Sequence, residues 1–197
     1  MRTHRSWGRL YRYLKHPVGT PPTSPKQMKP APIICYSAAM AAMAALLQSS
    51  MVLLPGFGQL LGAFSSFPIA FASLLHPASG LLTVVAAAVV VTMIHPVGGI
   101  LLLLTTGPLG LMIGTTIRLR WPRALGILLS TLALFLGITF LTRLTGIEAF
   151  HLLRLLDLQG GGIIIAICLL VYTWLWFDLV EYIYLRLGDW THRAHWK

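Results

Sequence analysis

Beyond residue 32 the chain is written mostly in apolar residues, with polar ones as punctuation. Six apolar runs follow one another at about 33–54, 57–75, 78–94, 98–117, 123–144 and 161–185. None alternates as a strand would, and each is near the ~20 residues a helix needs to cross a bilayer. Proline and glycine stand at the junctions: Pro55-Gly56, His76-Pro77, His95-Pro96 and Trp121-Pro122. Such residues stop one helix and start another. The pattern predicts an all-α polytopic membrane protein with six transmembrane helices, the second and third short or broken.

Residues 1–32 differ in kind. They hold Arg2, Arg5, Arg9, Arg12, Lys15, Lys26 and Lys29 with no acidic residue, and six of the chain's 12 prolines. Trp7, Leu10, Tyr11 and Leu14 recur at helical spacing against the arginine stripe. This is either a short interfacial helix on an anionic leaflet or a disordered basic tail, followed by an extended linker over 17–32. The apolar run behind it exceeds a signal-peptide core, so the first helix is expected to be retained. Three parts result: the basic segment 1–32, a six-helix domain 33–185, and a tail 186–197.

Charge adds orientation. The 197 residues are 56% hydrophobic and 10% charged, with net charge +10. A soluble domain carries about 25% charged residues, so composition excludes an ordinary soluble enzyme. The basic residues flank apolar runs instead of forming a phosphate-binding surface, which argues against nucleic acid. The N-terminal segment, the 118–123 junction (Arg118, Arg120, Arg123) and the C-terminus (Arg186, Arg193, Lys197) carry the excess; the junctions at 55–56 and 95–97 carry none. Both termini are therefore predicted to be cytoplasmic.

Several groups could carry chemistry. In the first run, Ser37, Ala41 and Ala45 share one helix face and Ala38 and Ala42 another. Small faces let backbones approach closely, either for a partner or within the bundle. The echo His76-Pro77 and His95-Pro96 offers a proton or metal site, or simply two interfacial turns; no Asp, Glu or Cys lies nearby in sequence, so no metal is expected. Thr105-Thr106-Gly107-Pro108 predicts a kink, which either frees carbonyls toward a cavity or only bends the helix. Asp178 and Glu181 share a face near the cytoplasmic end of the last run, where Arg118, Arg120 or Arg186 is the expected ion-pair partner. Trp174, Trp176, Tyr182 and Tyr184 beside them suggest an interfacial aromatic belt. Glu148, His151, Arg154 and Asp157 form a polar stripe, read as a lid or a plain interfacial helix.

Polar side chains favour the outer half: Gln48, Ser49, Ser50, Gln59, Ser65, Ser66, Thr92, Thr139 and Thr142, with Thr105 and Thr106 near the middle. The inner half has Ser73, Thr83, Thr115, Thr116, Ser130 and Thr131. A hydrated pocket opening outward and capped by 146–158 is expected, with Gln48, Gln59, Ser65, Ser66, Thr92, Thr105 and Thr106 as solute contacts. Gln48 leads, because a buried amide needs partners for both donor and acceptor. His-Glu-x-x-His, Gly-x-Ser-x-Gly and Walker A motifs are absent, so neither an enzyme nor an ATP-driven motor is expected, and no cofactor.

A six-helix protein with its N-terminus inside and Ala38-x-x-x-Ala42 in its first helix resembles the substrate-binding S components of energy-coupling factor transporters. The likeness extends over about 33–185. Phe64-x-x-Phe67-Pro68 through Leu75-x-Pro77-x-x-Gly80 is similar to the family's helix 2–3 region, although His76 stands where glycine is usual. The nearest subgroup is the S-component-like membrane proteins of Gram-positive bacteria. The resemblance implies a multi-pass subunit of the bacterial plasma membrane that binds a vitamin-like solute. It also implies docking through Ala38 and Ala42 onto a T subunit carrying two ATPases, and toppling to release the solute inside. Cobalt and nickel S components have an outward N-terminal histidine; His4 is predicted to face inward, which disfavours a metal substrate. The alternative is a non-transport scaffold or regulator with the same fold. A membrane-embedded lipid enzyme would require Asp178 and Glu181 to face a cavity open to headgroups. Anionic lipid is the expected partner of the N-terminal basic segment.

Overall fold

The computed structural model describes residues 30–54, 56–145 and 161–194. Its helices are α1 (Pro30–Leu53), α2 (Phe57–Ala63), α3 (Ser66–Leu75), α4 (Pro77–Ile94) and α5 (Pro96–Leu101). A π-helical turn (Leu102–Thr106) leads into α6 (Gly107–Leu119), followed by α7 (Arg123–Thr145) and α8 (Gly161–Ala194). They make six stretches long and apolar enough to cross a membrane: Ala31–Leu53, Phe57–Leu75, Pro77–Ile94, Pro96–Leu119, Arg123–Leu141 and Ile165–Arg186. The chain is an all-α, multi-pass membrane protein. The expected N-terminal interfacial helix and the stripe from Glu148 to Asp157 lie outside the described residues.

Several boundaries move from expectation. The first helix starts at Pro30, inside the segment assigned to the linker, and the last runs on to Ala194, through most of the expected tail. The third and fourth spans start on their prolines, Pro77 and Pro96, not after them. A first-turn amide has no intrahelical partner, so proline's missing N–H costs nothing there. The histidine before each proline does the rest. His76 Nδ1 accepts from the Ala78 amide at 3.2 Å, and His95 Nδ1 accepts from the Gly98 amide at 2.9 Å. Both histidines are thus N-caps that satisfy an orphan amide, which accounts for the sequence echo without a metal. Among the described residues, no three His, Cys, Asp or Glu side chains gather as a metal site.

α1 lies against α2, α3 and α4; α3 packs on both α4 and α6; α6 packs on α7, and α7 on α8. Two apolar cores result. Ala41, Ala44, Ala45, Ile69, Val84, Ala87, Ala88, Val91 and Leu102 fill the first, between spans 1 to 4. Ala70, Leu109, Ile113, Ile117, Ile127, Trp176, Phe177 and Val180 fill the second, between spans 2, 4, 5 and 6. Adjacent α3 residues, Ile69 and Ala70, contribute to one core each, so α3 is the wall between them.

The α3–α6 contact is a glycine seam. Gly110 and Gly114 lie flat against the carbonyls of Ser66 and Ala70, leaving no room for a Cβ at either position. Four-residue glycine spacing is the arrangement that lets helices in lipid approach backbone to backbone. The pairing order, Ser66 with Gly110 and Ala70 with Gly114, also shows that spans 2 and 4 run parallel.

Candidate functional site

Two spans lose regular α-helix inside the membrane. The second breaks at Phe64 and Ser65, between α2 and α3. The fourth widens into the π-helical turn before Gly107-Pro108, where the Gly107 amide donates to the Leu102 carbonyl five residues back. Proline explains the second irregularity. Pro108 has no N–H for the Leu104 carbonyl, so the hydrogen-bond ladder shifts register. The Leu104 carbonyl turns instead onto Gly137 of α7, which it contacts too closely for any side chain there. The freed carbonyl therefore meets a neighbouring helix.

The two irregularities sit close in depth. Ser66 is level with Gly110, so Thr106 lies about one turn, or ~6 Å, farther toward the end where α2 begins. Broken or widened helices are tolerated at membrane depth only where protein or a polar cavity covers them. Paired interruptions of this sort commonly mark binding sites in membrane transporters.

Polar side chains bridge the break in span 2. Ser65 Oγ donates to Gln48 Oε1 at 2.8 Å, joining span 2 to span 1, and Gln48 is only 1% exposed. Gln48 Nε2 reaches Met51 Sδ at 3.3 Å, a weak acceptor. Trp176 Nε1 donates to Ser66 Oγ, joining span 2 to span 6, while Ser66 Oγ donates to the Ala63 carbonyl at 3.0 Å. The Trp176 ring is enclosed by Phe64 at 5.0 Å, Phe67 edge-on at 5.3 Å and Tyr172 stacked at 5.7 Å. The Trp176 indole therefore lies inside the bundle, not in an interfacial belt, because its N–H has a partner only there. Trp174 and Tyr182 are exposed.

The remaining predicted contacts separate. Gln59 is exposed on the outside of α2, and Thr92 is exposed on α4, its hydroxyl returning to the Ala88 carbonyl at 2.6 Å. Thr105 is buried and bonds its own Leu101 carbonyl at 2.6 Å. Thr106 is buried, and its hydroxyl has no hydrogen-bond partner among the described residues. Ser49, Ser130 and Thr173 share that condition. The structure thus brings Gln48, Ser65 and Ser66 together around the break, with Thr106 one turn away on span 4. Gln59 and Thr92 stand apart from them.

The two small-residue faces of α1 also separate. Ser37, Ala41 and Ala45 are buried, whereas Ala38 and Ala42 are exposed. Ser37 Oγ shares a 2.6 Å hydrogen bond with Ser79 Oγ of α4, and Thr83 Oγ1 lies 3.3 Å from the Ser37 carbonyl. Internal packing uses one face, and the Ala38–Ala42 face looks out of the bundle.

The membrane carboxylates need a correction. Asp178 and Glu181 do not pair with Arg118, Arg120 or Arg186. Arg123 Nη2 binds Glu181, and Arg123 Nη1 lies 3.8 Å from Asp178. Antiparallel packing explains the choice, since the first residue of α7 lies opposite the end of the last span. Glu181 is 4% exposed. Arg118 Nη1 instead donates to the Leu74 carbonyl at 3.1 Å, and Arg186 Nη1 to the Tyr182 hydroxyl at 2.8 Å.

Neither a family model, nor a curated protein, nor a solved structure matches this chain.

Proposed function

We propose that this protein is the solute-binding membrane subunit of an energy-coupling factor-type uptake transporter in a bacterial plasma membrane, with a vitamin-like small molecule as its solute. The observation that carries the reading is that two spans packed together are both interrupted at similar depth: the Phe64-Ser65 break and the π-helical turn beside Thr106. Gln48, Ser65 and Ser66 supply amide and hydroxyl groups for a neutral polar solute, and the orphan Thr106 hydroxyl is a further donor and acceptor. Trp176 and Phe64 add an aromatic wall. Catalysis is not part of this role. The outward Ala38–Ala42 face is the docking surface for a T subunit bearing two ATPases.

The test is affinity purification of the full chain from its native membrane in mild detergent. A T subunit and two ATPases are expected in fixed stoichiometry. The Ala38→Leu/Ala42→Leu variant should lose them while melting at the same temperature, because both positions are exposed. Recovery of the folded wild-type chain without any ATPase would overturn the reading. The scaffold alternative gains from one observation, that Gln48 and Ser65 already satisfy each other. It predicts an isolated chain whose effect in cells depends on the basic segment 1–32.

A further inference from the structure

Among the residues whose side chains are described, the end of the bundle where α3 and α6 finish carries Arg118, Arg120, Arg123 and Arg186 against the carboxylates of Asp178 and Glu181. Both carboxylates are taken by Arg123. Arg186 lies along its own helix, 5.8 Å from the Tyr182 ring centroid and bonded to its hydroxyl. Arg118 and Arg120 have no carboxylate partner among the described residues.

Two further features set this pair apart from a diffuse basic rim. Arg120 adopts φ 55°, the left-handed conformation that ends α6 and that glycine normally supplies. An arginine there carries a conformational cost that glycine would not. Arg118 is half-buried and anchored by the Leu74 carbonyl, one of the orphan acceptors at the C-terminus of α3. Among the described residues, its other guanidinium nitrogens show no hydrogen bond. Exposed apolar side chains flank the pair: Leu119, Trp121 and Leu125. That neighbourhood belongs at the boundary between acyl chains and headgroups, where a soluble anion has no use for the apolar rim and a lipid does.

We propose that Arg118 and Arg120 form a site for the phosphodiester of an anionic phospholipid in the leaflet on this side of the bundle. Guanidinium groups donate in a fork that matches two phosphate oxygens. This inference is independent of the transport reading and distinct from the N-terminal basic segment.

The full-length chain in mild detergent, incubated with equimolar dioleoylphosphatidylglycerol and dioleoylphosphatidylcholine, allows bound lipid to be counted by native mass spectrometry. The wild type should retain phosphatidylglycerol preferentially. Arg118→Gln/Arg120→Gln should reduce that preference roughly 25-fold, from about fivefold per arginine. Arg186→Gln should change it less than about twofold, since its guanidinium is turned to Tyr182. Arg120→Gly separates binding from folding: it should melt no lower than wild type, because glycine suits the backbone, yet lose about fivefold in preference. No phosphatidylglycerol preference in the wild type would overturn the site. So would an equal loss from Arg186→Gln, which indicates diffuse attraction, or displacement by millimolar inorganic phosphate, which indicates a soluble anion.

Discussion

The two sides of α3 are built on different principles. On the side of spans 1 and 3, the contacts are alanines, valines and short hydroxyls: Ala41, Ala44 and Ala45 pack with Ala87, Ala88 and Val91, and Ser37 meets Ser79. On the side of spans 5 and 6, the contacts are large: Trp176 and Phe177 fill the core, and Arg123 closes it against Glu181. Apolar burial drives little helix association in lipid, because acyl chains are as apolar as leucine. One side compensates with close backbone approach and the other with aromatic bulk and a buried ion pair. The first device is tolerant, as many small residues share the load. The second concentrates it on a few residues.

The largest expected effect of a single change is therefore at Arg123. Arg123→Leu leaves Glu181 buried without its cation, which should destabilise the fold by about 3–5 kcal/mol. Arg123→Leu/Glu181→Leu should recover most of that, since a buried pair is often no better than well-packed apolar residues. Thermal unfolding in detergent of the two single variants and the double reads both. Equal losses in the single and double variants would mean that the pair contributes through packing and not through charge.

At the wall itself, Gly114→Ala places a methyl against the Ala70 carbonyl and should cost about 1–3 kcal/mol by prising α3 from α6. Gly126→Ala meets side chains, Thr116 and Phe177, which can shift; its loss should be smaller under the same measurement. The smallest effect belongs to the tolerant side. Ser37→Ala removes one interhelical hydrogen bond and should cost about 0.6 kcal/mol, the usual value inside membranes. If Ser37→Ala costs as much as Arg123→Leu, the contrast between the two sides fails.

Much of the fold was legible in the sequence because membrane helices are dictated by length and hydropathy. Span 2 falls at 57–75 in both readings. Prolines were legible as punctuation, but whether a proline ends one helix or opens the next depends on the cap before it, and His76 and His95 decide that through Nδ1. Partner choice was less legible. Arg123 reads as a topology marker until α7 and α8 are seen antiparallel. Trp176 belongs to a stripe with Thr173, Phe177, Val180 and Glu181, and that helical spacing was a usable signal for an inward face. Gly110 and Gly114 were another, since their four-residue spacing announces close packing. The candidate site was half legible. Gln48, Ser65 and Ser66 converge as amide and hydroxyl types in the outer half suggested. Gln59 and Thr92 do not, because composition by depth says nothing about rotation around a helix axis.

The central claim is that the junction of the interrupted spans opens to a solute from outside. In a background with Cys35 and Cys168 replaced by serine, both Gly56→Cys, at the turn after span 1, and Thr106→Cys should react in intact cells with a small membrane-impermeant thiol reagent. If Gly56→Cys reacts and Thr106→Cys stays unmodified, the junction is a closed helix interface and the solute-binding account is wrong.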